Sequence, residues 1–275
     1  VSDDNIAFIK AGSYSSRIHG ISETDYPSLP ELEEPKTYTL DQGAFRNMLK
    51  LASYAASIDP NRPLLNGVFL HFNNNKLSVV ATDSRRLALV EQEVEFPADA
   101  GMELIVPLKT IDELLRTMGD TGSLTILATP KQIAFQFDGV LVISKLTEGT
   151  YPNFRQVIPQ GASNRVVLER EMLLAAIRRT SQLVIDAISG VKLMFTPNRL
   201  EILAAAPEIG EARESMDVKY KGPEITIAFN PTFLMDPLKA LTTDEVYLDL
   251  VDDTNPGMIR STINFVYVLM PIRIS

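Results

Sequence analysis

The 275-residue chain contains no cysteine and only two histidines. Without cysteine there are no disulfides, so nothing indicates an oxidising compartment and a cytoplasmic location is expected. No apolar run approaches the roughly 18 residues that a membrane-spanning helix needs, so no membrane association is expected. Zinc has no predicted site either, because cysteine and the H-E-x-x-H spacing are both missing.

The sequence also lacks the motifs of common catalytic and nucleotide-binding sites. It has no G-x-x-x-x-G-K-[ST] loop, no G-x-G-x-x-G turn and no G-x-S-x-G elbow. His19 stands alone as a candidate, and the acidic pair Asp252–Asp253 falls in a turn where carboxylates are usually just solvated. We therefore predict that the protein is not an enzyme and holds no metal and no cofactor.

Positive charge is scarce, since the formal net charge is −9. This balance argues against a protein that coats nucleic acid, because such proteins are basic. It leaves room for DNA contact through one locally basic face.

What the chain does contain is an internal repeat. The run LLNGVFLHFNNNKLSVVA at 64–81 matches AISGVKLMFTPNRLEILA at 187–204 with a constant shift of 123 residues. The matched pairs are Gly67/Gly190, Val68/Val191, Phe72/Phe195, Leu77/Leu200 and Ala81/Ala204. Flanking segments agree in the same order, so two complete copies are predicted, at 36–157 and 163–275.

Each copy predicts an α+β unit of two helices packed on antiparallel sheet. A short strand leads into an amphipathic helix with an acid in its first turn. Two strands follow, joined by the turn residues NNN (73–75) or TPN (196–198). After a third strand and a fourth, the second helix of each copy starts near Pro107 or Pro231. Three more strands close each copy, at 123–128, 132–137 and 140–146 in the first and at 245–250, 257–261 and 264–270 in the second.

The first residues resemble the end of a copy. IAFIKAGSYSSRIHGISETDYPSL at 6–29 matches IAFQFDGVLVISKLTEGTYPNFR at 133–155, with Tyr-Pro in both. We therefore expect residues 1–32 to be the remnant of an earlier copy and the native product to carry roughly another 90–100 residues before Val1. The alternative is a natural short protein with an added hairpin.

Cations mark the predicted helices of this acidic chain. They are Arg46, Lys50, Lys109, Arg116, Arg170, Arg178, Arg179 and Lys239. For any one helix, a salt-bridged solvent face explains them. If the repeat places all four helices on one side, they form a basic stripe suited to phosphate contacts.

Two further segments stand out from the repeat. The stretch ATDSRRLAL at 81–89 carries an Arg pair that its counterpart lacks, and the apolar end VYVLMPIRI presents Met270 and Pro271 near a chain end. Such a tail can simply be docked, but Met and aliphatic side chains also suit adaptable partner binding.

These segments resemble the bacterial DNA polymerase III beta subunit, the replicative sliding clamp. The resemblance rests on ATDSRRLAL (81–89), KLTEGTYPNFRQVIP (145–159), IAFNPTFLMDPLKAL (227–241) and YVLMPIRI (267–274), and element order is kept over essentially the whole chain. Members have three similar domains per subunit, and two subunits close head to tail around duplex DNA. The resemblance implies that most of a first domain is absent here, in which case the usual ring cannot close from this chain.

The resemblance also implies roles. Helix cations would touch phosphates without reading sequence, and Gln182 and Leu183 would meet a neighbouring subunit. A pocket between the last two domains would bind short linear motifs of the DNA polymerase III core, the clamp loader, other polymerases and repair proteins. Position by position, that pocket comprises Arg62, Leu65, Thr82, Ser84, Arg85, Arg86, Leu87, Pro152, Val157, Val268, Met270, Pro271 and Arg273.

This chain departs from many relatives at Ser84 and Arg85, where they have Gly-His, so its motif preference is expected to differ. Two other functions stay open from the residues alone. A duplicated β-rich module that binds a ligand or partner and does not act on DNA would need a deep closed pocket and no basic stripe. An enzyme would need a convergent acid and base cluster.

Overall fold

The computed structural model describes residues 5–161, 164–184, 190–206 and 209–273. The chain divides into two units, Val1–Glu33 and Glu34–Ser275. In the first, strands β1 (Ile6–Ala11) and β2 (Tyr14–His19) form an antiparallel hairpin. The expectation that this segment is the remnant of an earlier copy stays a prediction.

The second unit contains both predicted copies. The first copy has helices α1 (Gln42–Ala52) and α2 (Leu108–Thr117). Its strands are β3 (Lys36–Asp41), β4 (Gly67–Asn73), β5 (Lys76–Thr82), β6 (Arg86–Glu93), β7 (Met102–Pro107), β8 (Ser123–Ala128), β9 (Gln132–Phe137) and β10 (Val140–Lys145).

The second copy repeats this order with helices α3 (Arg170–Thr180) and α4 (Pro231–Ala240). Its strands are β11 (Asn164–Glu169), β12 (Val191–Thr196), β13 (Arg199–Ala206), β14 (Gly210–Asp217), β15 (Ile225–Phe229), β16 (Glu245–Leu250), β17 (Gly257–Arg260) and β18 (Phe265–Leu269). The predicted α+β class, with two helices and antiparallel strands per copy, is confirmed. The predicted limits 163 and 275 lie outside the described residues.

Local chemistry explains where the helices begin. Asp41 precedes α1 and its carboxylate accepts the amide of Ala44 at 2.7 Å, while Asn230 caps α4 in the same way. The acid expected in the first turn of α1 is therefore its N-cap residue. Pro231 occupies the first turn of α4, where its missing N–H costs nothing. Pro107 lies one residue before α2.

The two copies are joined by a continuous sheet. Eight antiparallel strands run in the order β11-β16-β17-β18-β6-β5-β4-β7, so β18 of the second copy pairs directly with β6 of the first. Two four-stranded sheets, β10-β9-β8-β3 and β14-β13-β12-β15, complete the unit. The strand corresponding to β6 in the second copy, β14, pairs with β13 and, among the described residues, forms the edge of its sheet.

The helices form a row on one side of this sheet. Helix α1 contacts α2 and α4, and α4 contacts α3, which gives the order α2-α1-α4-α3. Alternation along β6 sorts its side chains between the two faces. Ala88 and Val90 belong to the core shared with the helices, whereas Leu87 and Leu89 belong to a separate apolar cluster.

Steric crowding explains why both copies have a glycine at the same position, Gly67 and Gly190. A Cβ on Gly67 would lie 2.7 Å from the carbonyl oxygen of Val106 on the paired strand β7, and one on Gly190 would lie 3.0 Å from the oxygen of Phe229. Both copies therefore need a residue without a side chain where β4 or β12 approaches its neighbour.

We expect Gly67→Ala to destabilise the protein by about 1–3 kcal/mol, because strand β4 must shift away from Val106. Gly101→Ala is the matched control, since its Cβ would come no closer than 3.4 Å to any neighbour. Urea denaturation measures both variants. Equal stability of the two would contradict the steric explanation.

Candidate functional site

A rigid turn connects β5 to β6 at the TDSRR stretch. The Asp83 carboxylate accepts the backbone amides of Arg85 and Arg86 at 2.8 and 3.0 Å. The Thr82 hydroxyl donates to the carbonyl of Arg86 at 2.6 Å. Ser84 is held at φ +78°, a left-handed conformation that is costly for a residue with a side chain. The turn therefore fixes the backbone of both arginines.

Two distant segments meet at this turn. The Arg62 guanidinium lies 3.3 Å from the Ser84 hydroxyl, to which it donates, and the amide of Met270 donates to the carbonyl of Arg85 at 2.8 Å. Residues 62, 82–87 and 270 therefore converge, as the resemblance implied. Because Met270 follows β18, the meeting point lies at the joint between the copies.

An apolar floor continues from the turn along the face of the sheet opposite the helices. Leu87 pairs with Val268 across the β6–β18 joint, and both are buried. With Leu65 they belong to the same apolar cluster. Met270 is 48% exposed and Val157 is 53% exposed, so both present apolar side chains to solvent. We call this surface, from Leu65, Leu87 and Val268 to Met270 and Val157, the partner groove.

Three aromatic residues support this floor and were not predicted as part of it. The rings of Phe69 and Tyr151 stack with centroids 4.7 Å apart, and Phe154 meets Phe69 edge to face at 6.1 Å. Pro152 and Val157 follow Tyr151 and Phe154 along the chain and are exposed. The repeated Tyr-Pro pair was the only sequence signal that pointed to Tyr151.

The remaining predicted pocket residues are placed differently. Pro271 is half-buried and Arg273 is exposed, on a segment anchored by the amide of Ile272, which donates to the carbonyl of Ala228 at 2.8 Å. Arg86 faces the helices instead of the groove, since it lies on the side of β6 that carries Ala88 and Val90. Its side chain is 11% exposed and pairs with Asp83 and Asp236.

An open cavity of about 650 Å³ lies on the helix side of the same joint. Its wall includes the rings of Tyr54 and Phe233, and its charged residues have both signs, including Asp59, Arg62 and Asp112. Burial lowers the pKa of Arg86, but Tyr267 and the hydrogen bond to Asp236 outweigh that effect and raise the pKa above its ordinary value. The guanidinium beside this cavity is therefore charged at every physiological pH.

The helix cations fall into three groups. Lys50, Lys109 and Arg178 are exposed and make no ion pair within the described residues. Four others are paired, with partners Asp120 for Arg46, Glu113 for Arg116, Glu214 for Arg179 and Asp236 for Lys239. Surface pairs of this kind are weak, so a phosphate can compete for the cation.

Arg170 has a structural role instead. Its side chain is 13% exposed and donates to the carbonyls of Thr243 and Leu238 at 2.7 and 3.0 Å, which ties the start of α3 to the end of α4. Gln42 makes the equivalent contact in the first copy, donating to the carbonyl of Thr121 at 3.1 Å. The predicted DNA-facing role of Arg170 is therefore not supported by its position.

The row of helices is basic although the chain is acidic. Together the four helices carry eight Lys and Arg against four Asp and Glu, a net charge of +4 in a chain of −9. The negative charge is therefore concentrated outside the helices. This segregation creates a positive surface that the overall composition hides.

The predicted subunit contacts lie beside the open edge of the second copy. Gln182 and Leu183 belong to a short 3-10 helix, Ser181–Leu183, that contacts β14. Met172 on α3, which is exposed, and Met216 on β14, which is half-buried, line one open surface there. The corresponding surface in the first copy is bounded by residues 262–264, which precede β18.

The acidic candidates are accounted for by local structure. Backbone amides of Asn255 and Thr254 donate to Asp252 and hold the pKa of its carboxyl at about 2. Within the described ranges, no group of three His, Asp or Glu side chains is arranged to hold a metal ion. Among the same residues, every helix is too short or too polar to cross a bilayer.

We expect Ser84→Gly to stabilise the protein by about 0.5–1 kcal/mol, because glycine adopts φ +78° without steric cost. Ser123→Gly, on an exposed strand position, is expected to destabilise it by a similar amount. Chemical denaturation distinguishes the two signs. A destabilised Ser84→Gly protein would show that the Arg62–Ser84 hydrogen bond outweighs the backbone strain.

Comparisons with known proteins agree with this architecture. Residues 39–153 match the family described as DNA polymerase III beta subunit, central domain, and residues 155–273 match the C-terminal domain of the same subunit. The beta sliding clamp of Chlamydia pneumoniae is 32% identical over 269 residues, which is 98% of this chain and 74% of that protein. The corresponding protein of Bacillus subtilis is 29% identical over 279 residues, covering 99% of this chain and 74% of the relative.

Solved structures show the same fold. The crystal structure of the DNA polymerase sliding clamp from Pseudomonas aeruginosa superimposes with a TM-score of 0.92 at 30% identity, covering 100% of this chain and 76% of that one. These similarities agree with the order of helices and strands and with the sheet that joins the copies. The chain belongs to the family of bacterial DNA polymerase III beta subunits, the sliding clamps.

Proposed function

We propose that this chain is a sliding-clamp subunit that encircles duplex DNA and tethers the replicative polymerase to it. It acts as a non-catalytic processivity factor for DNA replication. The observation that carries the proposal is the single row of four helices, with a net charge of +4, on a chain whose charge is −9. A β-rich ligand-binding module would not need this segregation of charge, and family membership does not favour it.

The DNA contact is electrostatic and independent of sequence. Lys50, Lys109 and Arg178 are free to meet phosphates, and Arg46, Arg116, Arg179 and Lys239 can exchange their weak partners for phosphate oxygens. Such contacts release counterions and weaken steeply with salt. A ring needs little affinity, because enclosure prevents dissociation while the protein slides.

The ring contact uses the open edge of β14. Inside the chain, β6 is completed by β18, whereas its counterpart β14 pairs on one side within the described residues. We assign to β14, with Gln182 and Leu183 beside it, the contact with the first domain of a second subunit in a head-to-tail homodimer of three-domain subunits. An antiparallel strand from that subunit would complete the sheet as β18 does.

The partner groove tethers proteins through short linear motifs. A peptide with a Gln followed by aliphatic and aromatic residues would place its apolar side chains over Leu65, Leu87 and Val268, between Val157 and Met270. The DNA polymerase III core, the clamp loader, other polymerases and repair proteins are the proposed partners. The proposed location is the cytoplasm, where cell fractionation would find it with the chromosome.

We expect a clamp assembled from subunits that carry all three domains of the family to remain on nicked circular DNA and to leave the same DNA once it is linearised, because enclosure holds it. Charge reversal at Lys50 and Arg178 should lower the amount loaded. In direct binding it should reduce the slope of log K against log salt by about 2, at roughly 0.9 per lost phosphate contact. Retention is measured by gel filtration after loading, and the slope by fluorescence anisotropy.

The matched control reverses Lys131 and Lys221, which are exposed and lie outside the helices. It should load and bind as the parent does. Equal retention on circular and linear DNA would contradict enclosure. An equal effect of the two double reversals would contradict the assignment of the helix row to DNA.

We expect the motif peptide to bind the chain with a Kd of roughly 1 μM, about −8 kcal/mol, and Met270→Ala to weaken it about tenfold. Met270 supplies exposed apolar surface on one wall of the groove. Met172→Ala is the control, because Met172 is 49% exposed against 48% for Met270 but lies on α3. Calorimetry that finds the two substitutions equivalent would place the peptide elsewhere.

A further inference from the structure

The two adjacent arginines of the β5–β6 turn line one cavity but differ in burial and in partners. Arg85 is exposed and makes no ion pair within the part of the chain that the structure describes. Arg86 is almost buried and shares its face with the helices, while the next residue, Leu87, faces the partner groove. One strand thus carries a buried cation on one side and a groove wall on the other.

The Arg86 guanidinium binds three segments at once. It donates to Asp83 in its own turn at 3.0 Å, to Asp236 on α4 at 2.5 Å, and to the carbonyl of Tyr54, which follows α1, at 2.6 Å. The ring of Phe233 on α4 lies 4.3 Å from its carbon centre. This planar, forked arrangement suits arginine and cannot be reproduced by lysine.

Helix α4 passes this restraint on to β18. The Tyr267 hydroxyl on β18 donates to the carbonyl of Phe233 at 2.9 Å, and α4 packs against β18. Strand β18 carries Val268 to the groove side and leads to Met270. The position of α4 against β6 therefore sets the position of one groove wall against the other.

The arginine occurs where the copies join. Strand β6 begins with Arg86 and is paired to β18, whereas the corresponding strand β14 begins with Gly210 and lies at a sheet edge. A requirement of the repeated fold itself would place the same residue in both copies. Because the arginine occurs only on the strand that joins the copies, we connect Arg86 with the partner groove that this joint forms.

We propose that Arg86 is the positioning residue of the partner groove: from the helix face it fixes the spacing between the Leu87 wall and the Val268–Met270 wall, without touching the bound motif. This inference rests on the proposed function of the groove. Removing Asp236, on the far side of the sheet from any bound peptide, should then act as removing Arg86 does.

A double-substitution cycle separates positioning from contact. With a Gln-aliphatic-aromatic peptide as the probe, Arg86→Met and Asp236→Asn should each weaken binding about tenfold, and the double variant should be no weaker than the worse single variant. Lys239→Met is the control, since it removes the other cation near Asp236, 3.9 Å away, and should leave affinity unchanged. If Arg86→Met weakens binding while Asp236→Asn does not, Arg86 contacts the motif and the proposal is wrong.

A second measurement needs no peptide. Because the chain has no cysteine, nitroxide labels can be attached to cysteines introduced at Asn61 and Met270, one on each side of the joint. Pulsed electron spin resonance should show a broadened or shifted distance distribution in Arg86→Met and Asp236→Asn, and the parent distribution in Lys239→Met. Unchanged distributions in both joint variants would overturn the proposal.

The two failures are distinguishable. A parent protein that does not bind the peptide contradicts the proposed groove function, and the label distances then decide alone whether Arg86 sets the spacing of the walls. If Arg86→Met does not fold, Asp236→Asn supplies both readouts, because it keeps the arginine and removes one of its two carboxylates.

Discussion

The antiparallel pairing of β6 with β18 is the contact on which the rest of the structure depends. It joins two copies of one α+β unit into an eight-stranded sheet and brings α1 against α4, so the four helices form one row. On the opposite face it places Leu87 beside Val268. The basic surface and the partner groove are therefore two sides of the same joint, and neither belongs to one copy alone.

The separation of positive and negative charge explains how an acidic protein can contact DNA. The four helices contain eight Lys and Arg and four Asp and Glu, while the chain as a whole has a net charge of −9. A protein that relied on affinity would need a larger basic patch, because counterion release supplies most non-specific binding energy. Enclosure removes that requirement, and weak contacts let a ring slide.

Most of the fold could be predicted from the sequence, because the repeat gives two independent segments from which to predict each helix and strand. The strand and helix positions follow from periodicity and from turn residues such as Asn198, which has φ +61°. They follow also from glycines such as Gly67, where a neighbouring carbonyl leaves no room for a side chain. What the sequence could not predict was the direction of side chains whose partners are distant along the chain. Arg86 turns to Asp236, 150 residues away, and Arg170 turns to carbonyls at the end of α4.

At the candidate site, too, some residues could be predicted from the sequence and others could not. Residues identified by resemblance around Thr82–Leu87 and Met270 do converge, because β18 pairs with β6 and the amide of Met270 donates to the carbonyl of Arg85. The stacked pair of Phe69 and Tyr151 escaped prediction, since aromatic residues on a strand and in a linker carry no local sign that they meet. Tertiary packing alone brings them together.

Hydrogen exchange at the joint tests the central claim most directly, because it asks whether the two copies are one folded unit. The account predicts that the amides of β6 and β18 exchange as slowly as those of β4 and β5, through global unfolding. If the β6–β18 amides exchange at least about a hundredfold faster, corresponding to an opening about 2.7 kcal/mol easier, the copies separate independently. The joint would then not be the element on which the groove and the helix row depend.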